Sequence, residues 1–132
     1  MGREELEECV TNMLMSFKIQ SDIMGFEYLR TAIILCYEND ELKNNISKKV
    51  YPLVAKKHNS SPETVERGIR TAIENSYHCG GLLEINELCG FIVYTNGFKW
   101  TNGELISTLA ELVRLKESRH NFNDKVEKLR EK

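Results

Sequence analysis

The chain has 132 residues, 41% hydrophobic and 29% charged, a composition typical of one soluble globular domain that can bury a real core. Its net charge of −2 gives no overall positive field, and no apolar run is long enough to cross a membrane. The acidic start MGREELEE lacks the order of a signal peptide, so we expect a cytoplasmic protein, and four scattered cysteines without a CxxC pair favour reduced thiols.

The first half of the sequence predicts helices. Residues 4–17 have apolar side chains at helical spacing, and residues 25–38 form a second and strongly apolar helical pattern after a connection at 19–24. Asn39 and Asp40 end that pattern and can cap a short helical turn at 41–44. Residues 46–58 also look helical, but Pro52 removes an amide and clashes with the preceding turn, so we expect a kink or a fresh start there.

Residues 50–77 predict two helices joined by a tight turn. Asn59 tolerates a left-handed backbone and can end the first helix. Ser61 can cap the second with Pro62 as its first residue, although Ser60 with Glu63 offers a competing capping box. At about 100° per residue this helix has two faces. The inner face holds Val65, Ile69, Ala72, Ile73 and Ser76, and the outer face holds Glu63, Glu66, Arg67, Arg70 and Glu74.

Two interpretations of the outer face stay open from the pattern. In a helix-turn-helix, these side chains enter the DNA major groove, where an arginine can donate two hydrogen bonds to guanine. In an ordinary helical hairpin, they form weak i,i+4 ion pairs in solvent, because Glu63, Glu66 and Arg70 each precede an oppositely charged residue by four positions.

The charge distribution favours DNA. Residues 43–78 carry seven Lys or Arg and three acids, a net of +4, whereas residues 1–41 carry three Lys or Arg and nine acids. The positive field therefore coincides with the predicted helix pair, as a local DNA footprint requires.

The last third contains a less regular stretch and then a clear helix. Gly80 and Gly81 end the preceding helix, and residues 82–88 predict a brief helix stopped by Gly90. The Asn-Gly pair at 96–97 predicts either a small β-hairpin or an irregular loop at 91–100. Thr101 with Glu104 forms a capping box for a helix with an apolar face as far as Leu115.

The C-terminal residues are dense in charge. Phe122, Val126 and Leu129 lie on one helical stripe, which indicates either a frayed extension or a dimer-forming helix. We therefore divide the chain into a helix-turn-helix domain, residues 1–116, and a charged C-terminal helical extension, residues 117–132.

No grouping of side chains indicates an enzyme, a cofactor or a metal. His58 fits the inner face of a helix, where a structural histidine is more common than a catalytic base. His78 beside Cys79 lacks further ligands at metal-binding spacing.

Three segments carry a specific resemblance: GFEYLRTAI (25–33), ISKKVYPLVAKKHNSSPETVERGIRTAIE (46–74) and TNGELISTLAELVRL (101–115). They closely resemble the C-terminal effector domain of the stage-zero sporulation regulator A, a response regulator of endospore-forming bacteria. The similarity runs in order from about Cys9 to Lys116. It implies an all-α domain of about six helices that binds short promoter boxes, often in tandem head-to-tail copies, and contacts the sigma subunit of RNA polymerase.

The resemblance also implies site residues by position. Glu66, Arg67 and Arg70 match the base-reading residues, Lys56 and Lys57 match a basic pair on the preceding helix, and residues 82–98 correspond to the polymerase-contacting region. The candidate phosphate contacts are Lys48, Lys49, Lys56, Lys57, Ser61, Thr64 and Thr71.

The sequence also departs from the resembled family. The family's receiver domain is absent, so we do not expect control by phosphorylation of a receiver. Thr64 and Thr71 stand where related sequences can carry Arg and His, which would weaken phosphate attraction or change the preferred box. All-α relatives argue against a hairpin at 91–100, and residues after Glu117 extend beyond the family's usual end.

The sequence therefore predicts a sequence-specific DNA-binding transcriptional regulator that acts as a monomer or a homodimer. The alternative is an interaction module without DNA binding that antagonises a full-length regulator or a sigma factor.

Overall fold

The fold is all-α, as the sequence predicted. A computed structural model describes residues 1–90, 92, 94, 95 and 100–131, except the side chains at positions 120 and 122. Its six α-helices are α1 (Arg3–Ser16), α2 (Met24–Glu38), α3 (Tyr51–Lys57), α4 (Pro62–His78), α5 (Glu84–Cys89) and α6 (Asn102–Arg130). The described part contains no β-strand, and the hairpin predicted at 91–100 falls mostly on residues outside that part.

Helix α2 lies at the centre of the fold. It packs against α1, α3, α4 and α6, and because neighbours surround it, buried residues point in several directions from its axis. Nine of its residues are buried, namely Gly25, Phe26, Tyr28, Leu29, Thr31, Ala32, Ile33, Ile34 and Cys36. The strongly apolar pattern at 25–38 therefore corresponds to a helix that is covered on most sides.

The segment between α2 and α3 is a series of short turns. Asn39 caps a 3₁₀ turn, Asp40–Asn44, by accepting a hydrogen bond from the Glu41 amide at 3.2 Å. A π-helical turn, Ile46–Val50, then leads into α3, which has Pro52 in its first turn. Proline needs no amide partner at that position. The change from a π-helical turn to an α-helix just before Pro52 agrees with the kink or fresh start that the sequence predicted there.

Helix α6 begins at the predicted capping box. The Glu104 amide donates to the Thr101 hydroxyl at 3.2 Å, and the Thr101 amide donates to the Glu104 carboxylate at 3.1 Å. The first half of α6 packs against α2 through Leu105, Ile106, Leu109, Ala110 and Val113, all buried. The helix continues without a break to Arg130, for 29 residues. No helix in the described part is long and apolar enough to cross a membrane.

Candidate nucleic-acid interface

The turn between α3 and α4 has the backbone that the sequence predicted. Asn59 adopts a left-handed conformation with φ of 53°, and the Ser60 amide donates to the Ala55 carbonyl at 2.9 Å. This bond closes a Schellman-type end, which satisfies a carbonyl that a helix terminus otherwise leaves free. The two helices of the motif are therefore joined with no flexible linker.

Ser61 caps the second helix of the motif. Its hydroxyl accepts a hydrogen bond from the Thr64 amide at 3.2 Å, and Pro62 is the first helical residue. The competing capping box of Ser60 with Glu63 does not form, because Ser60 instead contacts α2. Of the two starts that the sequence left open, the structure therefore has the one capped by Ser61.

Helix α2 fixes the position of the turn. The Thr31 hydroxyl and the His58 ring nitrogen Nε2 are 2.9 Å apart, and the Tyr28 hydroxyl donates to the Ser60 hydroxyl at 3.3 Å. The Tyr28 and His58 rings meet edge to face, with centroids 5.4 Å apart. His58 therefore has the structural role that the sequence favoured.

The inner face of α4 is buried as predicted. Val65, Ile69, Ala72, Ile73 and Ser76 are all covered, and the Ser76 hydroxyl donates to the Phe17 carbonyl at 2.5 Å. With that side of the helix committed to the core, Arg67, Arg70 and Thr71 are left exposed on the other sides. Helix α4 therefore presents a fixed outer face to solvent.

The three candidate base-reading residues lie on that outer face and differ in their contacts. Arg70 donates to the Glu66 carboxylate at 3.1 Å, with about half of the Arg70 side chain exposed. Arg67 is exposed and has no ion-pair partner within the described part of the chain. An open groove of about 290 Å³ lies beside them, lined by Ser47, Tyr51, Pro62, Glu63, Glu66, Arg67 and Arg70. Of the possible i,i+4 pairs, Glu66 with Arg70 forms, and Arg67 stays available for an outside acceptor.

The candidate phosphate-contacting lysines surround the first helix of the motif. Lys48 and Lys49 lie in the π-helical turn before α3, and Lys56 and Lys57 lie in the last turn of α3. All four are exposed, and none of them forms an ion pair with a residue that the structure describes. Their charges are therefore available to an anionic partner.

The hydroxyl candidates have more constrained surroundings. The Ser61 hydroxyl is the cap of α4 and donates to the Thr64 hydroxyl at 2.9 Å. Thr71 is exposed one helical turn after Arg67. The structure thus places Ser61 and Thr64 together at the start of α4 and leaves Thr71 apart from them.

The sequence analysis did not predict a contact by which a residue of α6 supports the outer face of α4. The Asn102 side-chain amide donates to the Glu66 backbone carbonyl at 3.2 Å. Burial raises the pKa of the nearby Tyr51 above its usual value, although the Asn102 side chain acts in the opposite direction. The local pattern TNGE shows where α6 begins, but it contains no signal for the helix on which α6 rests.

A second missed contact holds the chain after α5. The Tyr94 amide donates to the Asn86 side-chain oxygen at 2.8 Å, and the Asn86 side-chain amide donates to the Tyr94 carbonyl at 2.7 Å. The Tyr94 ring also meets Trp100 edge to face. Asn86 thereby replaces two backbone hydrogen bonds that an irregular segment lacks.

Among the described residues, no three His, Cys, Asp or Glu side chains lie close enough together to hold a metal ion. The adjacent residues His78 and Cys79, which the sequence analysis found to lack further ligands, lie at the end of α4, and both are exposed.

The chain matches a known family. The model of the family described as "Sporulation initiation factor Spo0A C terminal" matches residues 10–113 of the 132-residue chain. The matched range includes all of α2 to α5, together with the whole helix-turn-helix, and ends within α6.

Proposed function

The chain belongs to the Spo0A C-terminal family and is therefore a DNA-binding domain of a sporulation regulator, and on this premise we propose that it is a sequence-specific transcriptional regulator that reads promoter DNA through α4. The observation that carries the proposal is the geometry of that helix. Its start is capped by Ser61, its inner face is buried, and its outer face exposes Arg67 with no partner in the described part of the chain.

We assign base reading to Arg67, Arg70 and Glu66. Each guanidinium can donate two hydrogen bonds to the O6 and N7 atoms of guanine, which a mismatched base cannot accept in the same way. The Glu66 carboxylate can accept from cytosine or orient Arg70, and its 3.1 Å contact with Arg70 supports the orienting role. Asn102 acts as a positioning residue, because its side chain hydrogen-bonds the Glu66 backbone and we assign it no contact with DNA.

We assign phosphate contact to the lysines and hydroxyls around this face. Lys48, Lys49, Lys56 and Lys57 supply positive charge, and Ser61, Thr64 and Thr71 can add hydrogen bonds to phosphate oxygens. These contacts set the register of the protein on the duplex, whereas the arginines discriminate between sequences. The net charge of −2 does not oppose this assignment, since residues 1–41 carry a net charge of −6 and residues 43–78 a net charge of +4.

Contact with the sigma subunit of RNA polymerase is a further part of the proposal. It rests on the resemblance of residues 82–98 to the family's polymerase-contacting region. Three large apolar side chains in the described part of this region are exposed, Leu83 and Leu88 at 36% each and Ile92 at 77%. Pull-down of purified sigma subunit by the wild type, and its loss with Ile92→Glu, would support the contact, and equal capture by both chains would contradict it.

The DNA proposal is tested by selection from a random duplex library, followed by fluorescence anisotropy with the selected and a scrambled duplex at two salt concentrations. A sequence-specific reader should prefer the selected duplex by about 10³-fold or more and lose affinity as salt rises. Failure to bind any duplex at the lower salt would overturn the proposal.

A second candidate is an interaction module that has lost DNA binding and antagonises a full-length regulator or sigma factor. The observation that favours it is the Glu66 carboxylate, which forms an ion pair with Arg70 and places negative charge on the outer face of α4. Such a module would bind neither duplex at either salt and would instead lower the DNA binding of a full-length regulator when mixed with it.

A further inference from the structure

The second half of α6 extends over the surface of the protein. Every residue whose exposure is described between 118 and 130 is exposed, except Val126, which is half-buried. Leu115 is 52% exposed and Leu129 is 71% exposed. Isolated helices shorter than about 12–15 residues are marginal in water, and residues 118–130 form an extension of about that length. Such an extension gains most of its stability by packing its apolar side against another surface.

The apolar positions of this half follow the spacing of a coiled coil. Leu112, Leu115, Arg119, Phe122, Val126 and Leu129 are separated alternately by three and four residues, the a and d positions of successive heptads. We call these six positions the α6 seam. Five of the six are apolar, and the seam starts within the folded body and runs to the last turn of the helix.

The beginning of the seam also forms a wall of an apolar groove between α1, α5 and α6. The groove has a volume of about 340 Å³, and its apolar lining consists of Met13, Leu88, Cys89, Leu112 and Leu115. Leu88 is 36% exposed there. The exposed part of the seam is thus continuous with a concave apolar surface on the same molecule.

We propose that two copies of this chain associate by packing their α6 seams antiparallel, so that Val126 and Leu129 of each copy enter the groove of the other. In this register Leu112 faces Leu129 of the second copy, and Leu115 faces its Val126. Position 119 is the counterpart of position 122, and the three pairs of positions share one centre between these two. The same patch serves on both copies, which gives a closed two-fold dimer.

The charges beside the seam decide the orientation. In a parallel pair, Arg119 would face Arg119 of the second copy, and Lys125 at a g position would face Arg130 at an e position. Like charges in these positions destabilise a helix pair. In the antiparallel pair Lys125 faces Ser118 and Lys116 faces Asn123, so the facing flanks carry no repulsive pair.

The dimer does not depend on DNA reading and is measured with protein alone. Sedimentation equilibrium over a wide concentration range should give a mass that rises from 15.3 kDa towards twice that value. Leu129→Glu should raise the dissociation constant by at least about a hundredfold, because it places a carboxylate in two symmetric apolar grooves. The matched control is Met24→Glu, a similarly apolar and 52% exposed position at the start of α2, which should leave the dissociation constant unchanged.

The substitution at Leu129 does not disturb the core, since that side chain is exposed in the single chain. A wild type that stays at 15.3 kDa at every concentration would overturn the proposal. An equal effect of Met24→Glu would do the same, because it would show that the association has no preference for the seam.

Cross-linking tests the orientation. The two cysteine variants, Leu115→Cys and Val126→Cys, are made in a Cys79→Ser, Cys89→Ser background. A mixture of the two chains should form a disulfide-linked heterodimer under mild oxidation. Neither variant alone should cross-link, and the background chain should not cross-link either. Self-linking of the Leu115→Cys chain without the mixed product would overturn the antiparallel arrangement.

Discussion

Gly25 and Gly68 meet where α2 crosses α4. A Cβ atom on Gly25 would lie 2.2 Å from the Gly68 carbonyl oxygen, so only glycine permits this approach of the two backbones. The crossing lies one residue from Arg67, on the helix proposed to read DNA. The distance between these two glycines therefore sets how far the outer face of α4 projects from the core.

Gly25→Ala should destabilise the protein by about 1–3 kcal/mol, because the added methyl group meets backbone that cannot move independently of α4. The measurement is the urea midpoint of unfolding followed by circular dichroism. Gly103→Ala is the control, since its Cβ would meet Ile46 at an ordinary 3.5 Å. That control should be neutral or stabilising, as alanine favours a helix over glycine, and equal losses for the two variants would contradict the role of the crossing.

Arg114, a residue of α6, caps the C-terminal end of α2. Its guanidinium donates to the Cys36 carbonyl at 2.5 Å and to the Tyr37 carbonyl at 3.2 Å, and it pairs with Asp40 at 2.9 Å. Since these carbonyls have no partner within α2 itself, Arg114→Ala should lower the free energy of unfolding by about 1–3 kcal/mol. Chemical denaturation measures the loss.

Arg130→Ala provides the comparison for Arg114. Its side chain is 74% exposed and its ion pair with Glu127 is loose, at 3.6 Å. Exposed pairs of this kind contribute about 0–1 kcal/mol. If the two alanine variants unfolded at the same denaturant concentration, the capping role of Arg114 would be wrong.

The local features of this fold could be predicted from the sequence, and the contacts between distant segments could not. Asn59, Ser61 and Pro62 specify the turn and the start of α4 because capping depends on neighbouring residues. Asn102 and Arg114 act on residues 36 and 78 positions earlier in the chain. Helical periodicity shows which face of a helix is buried, but it does not show which helix covers that face.

The four cysteines should react at very different rates. Cys79 is exposed, whereas Cys36 is fully buried, and burial raises the pKa of the Cys36 thiol to about 11. Because the thiolate is the reactive form, Cys36 should resist a chromogenic disulfide reagent at pH 8 until the protein unfolds. Cys79→Ser should abolish the fastest phase of the reaction. Fast labelling of Cys36, located by mass spectrometry, would contradict the packing of α2.

Acid should weaken the contacts around Asp40. Hydrogen bonding to Lys43, followed by the nearby Arg114, holds the pKa of the Asp40 carboxyl below its usual 3.8. A lowered pKa in the folded state means that the contribution of Asp40 to stability is complete above about pH 4 and is lost as pH falls through the folded pKa. Asp40→Asn, and Lys43→Met, should each flatten the fall of the melting temperature below pH 4. An unchanged slope in Asp40→Asn would show that other carboxyls cause the acid sensitivity.

The separation of base reading from phosphate contact predicts two kinds of DNA-binding defect. Arg67→Ala should cost about 1–3 kcal/mol on the selected duplex and relax the base preference at one position, because it removes two hydrogen bonds to a base edge. Lys57→Ala should weaken the selected and scrambled duplexes alike and reduce the salt dependence, because it removes a phosphate contact. Anisotropy titrations of both variants on both duplexes, at two salt concentrations, separate the defects.

Both substitutions replace exposed side chains, so neither should change the urea midpoint, which serves as the control for folding. The informative quantity is the ratio of the two affinities for each variant. Arg67→Ala should lower that ratio, and Lys57→Ala should preserve it while lowering both affinities. If both variants lost the same factor on both duplexes, Arg67 would be one more phosphate contact and base reading would have to come from Arg70 or from another part of α4.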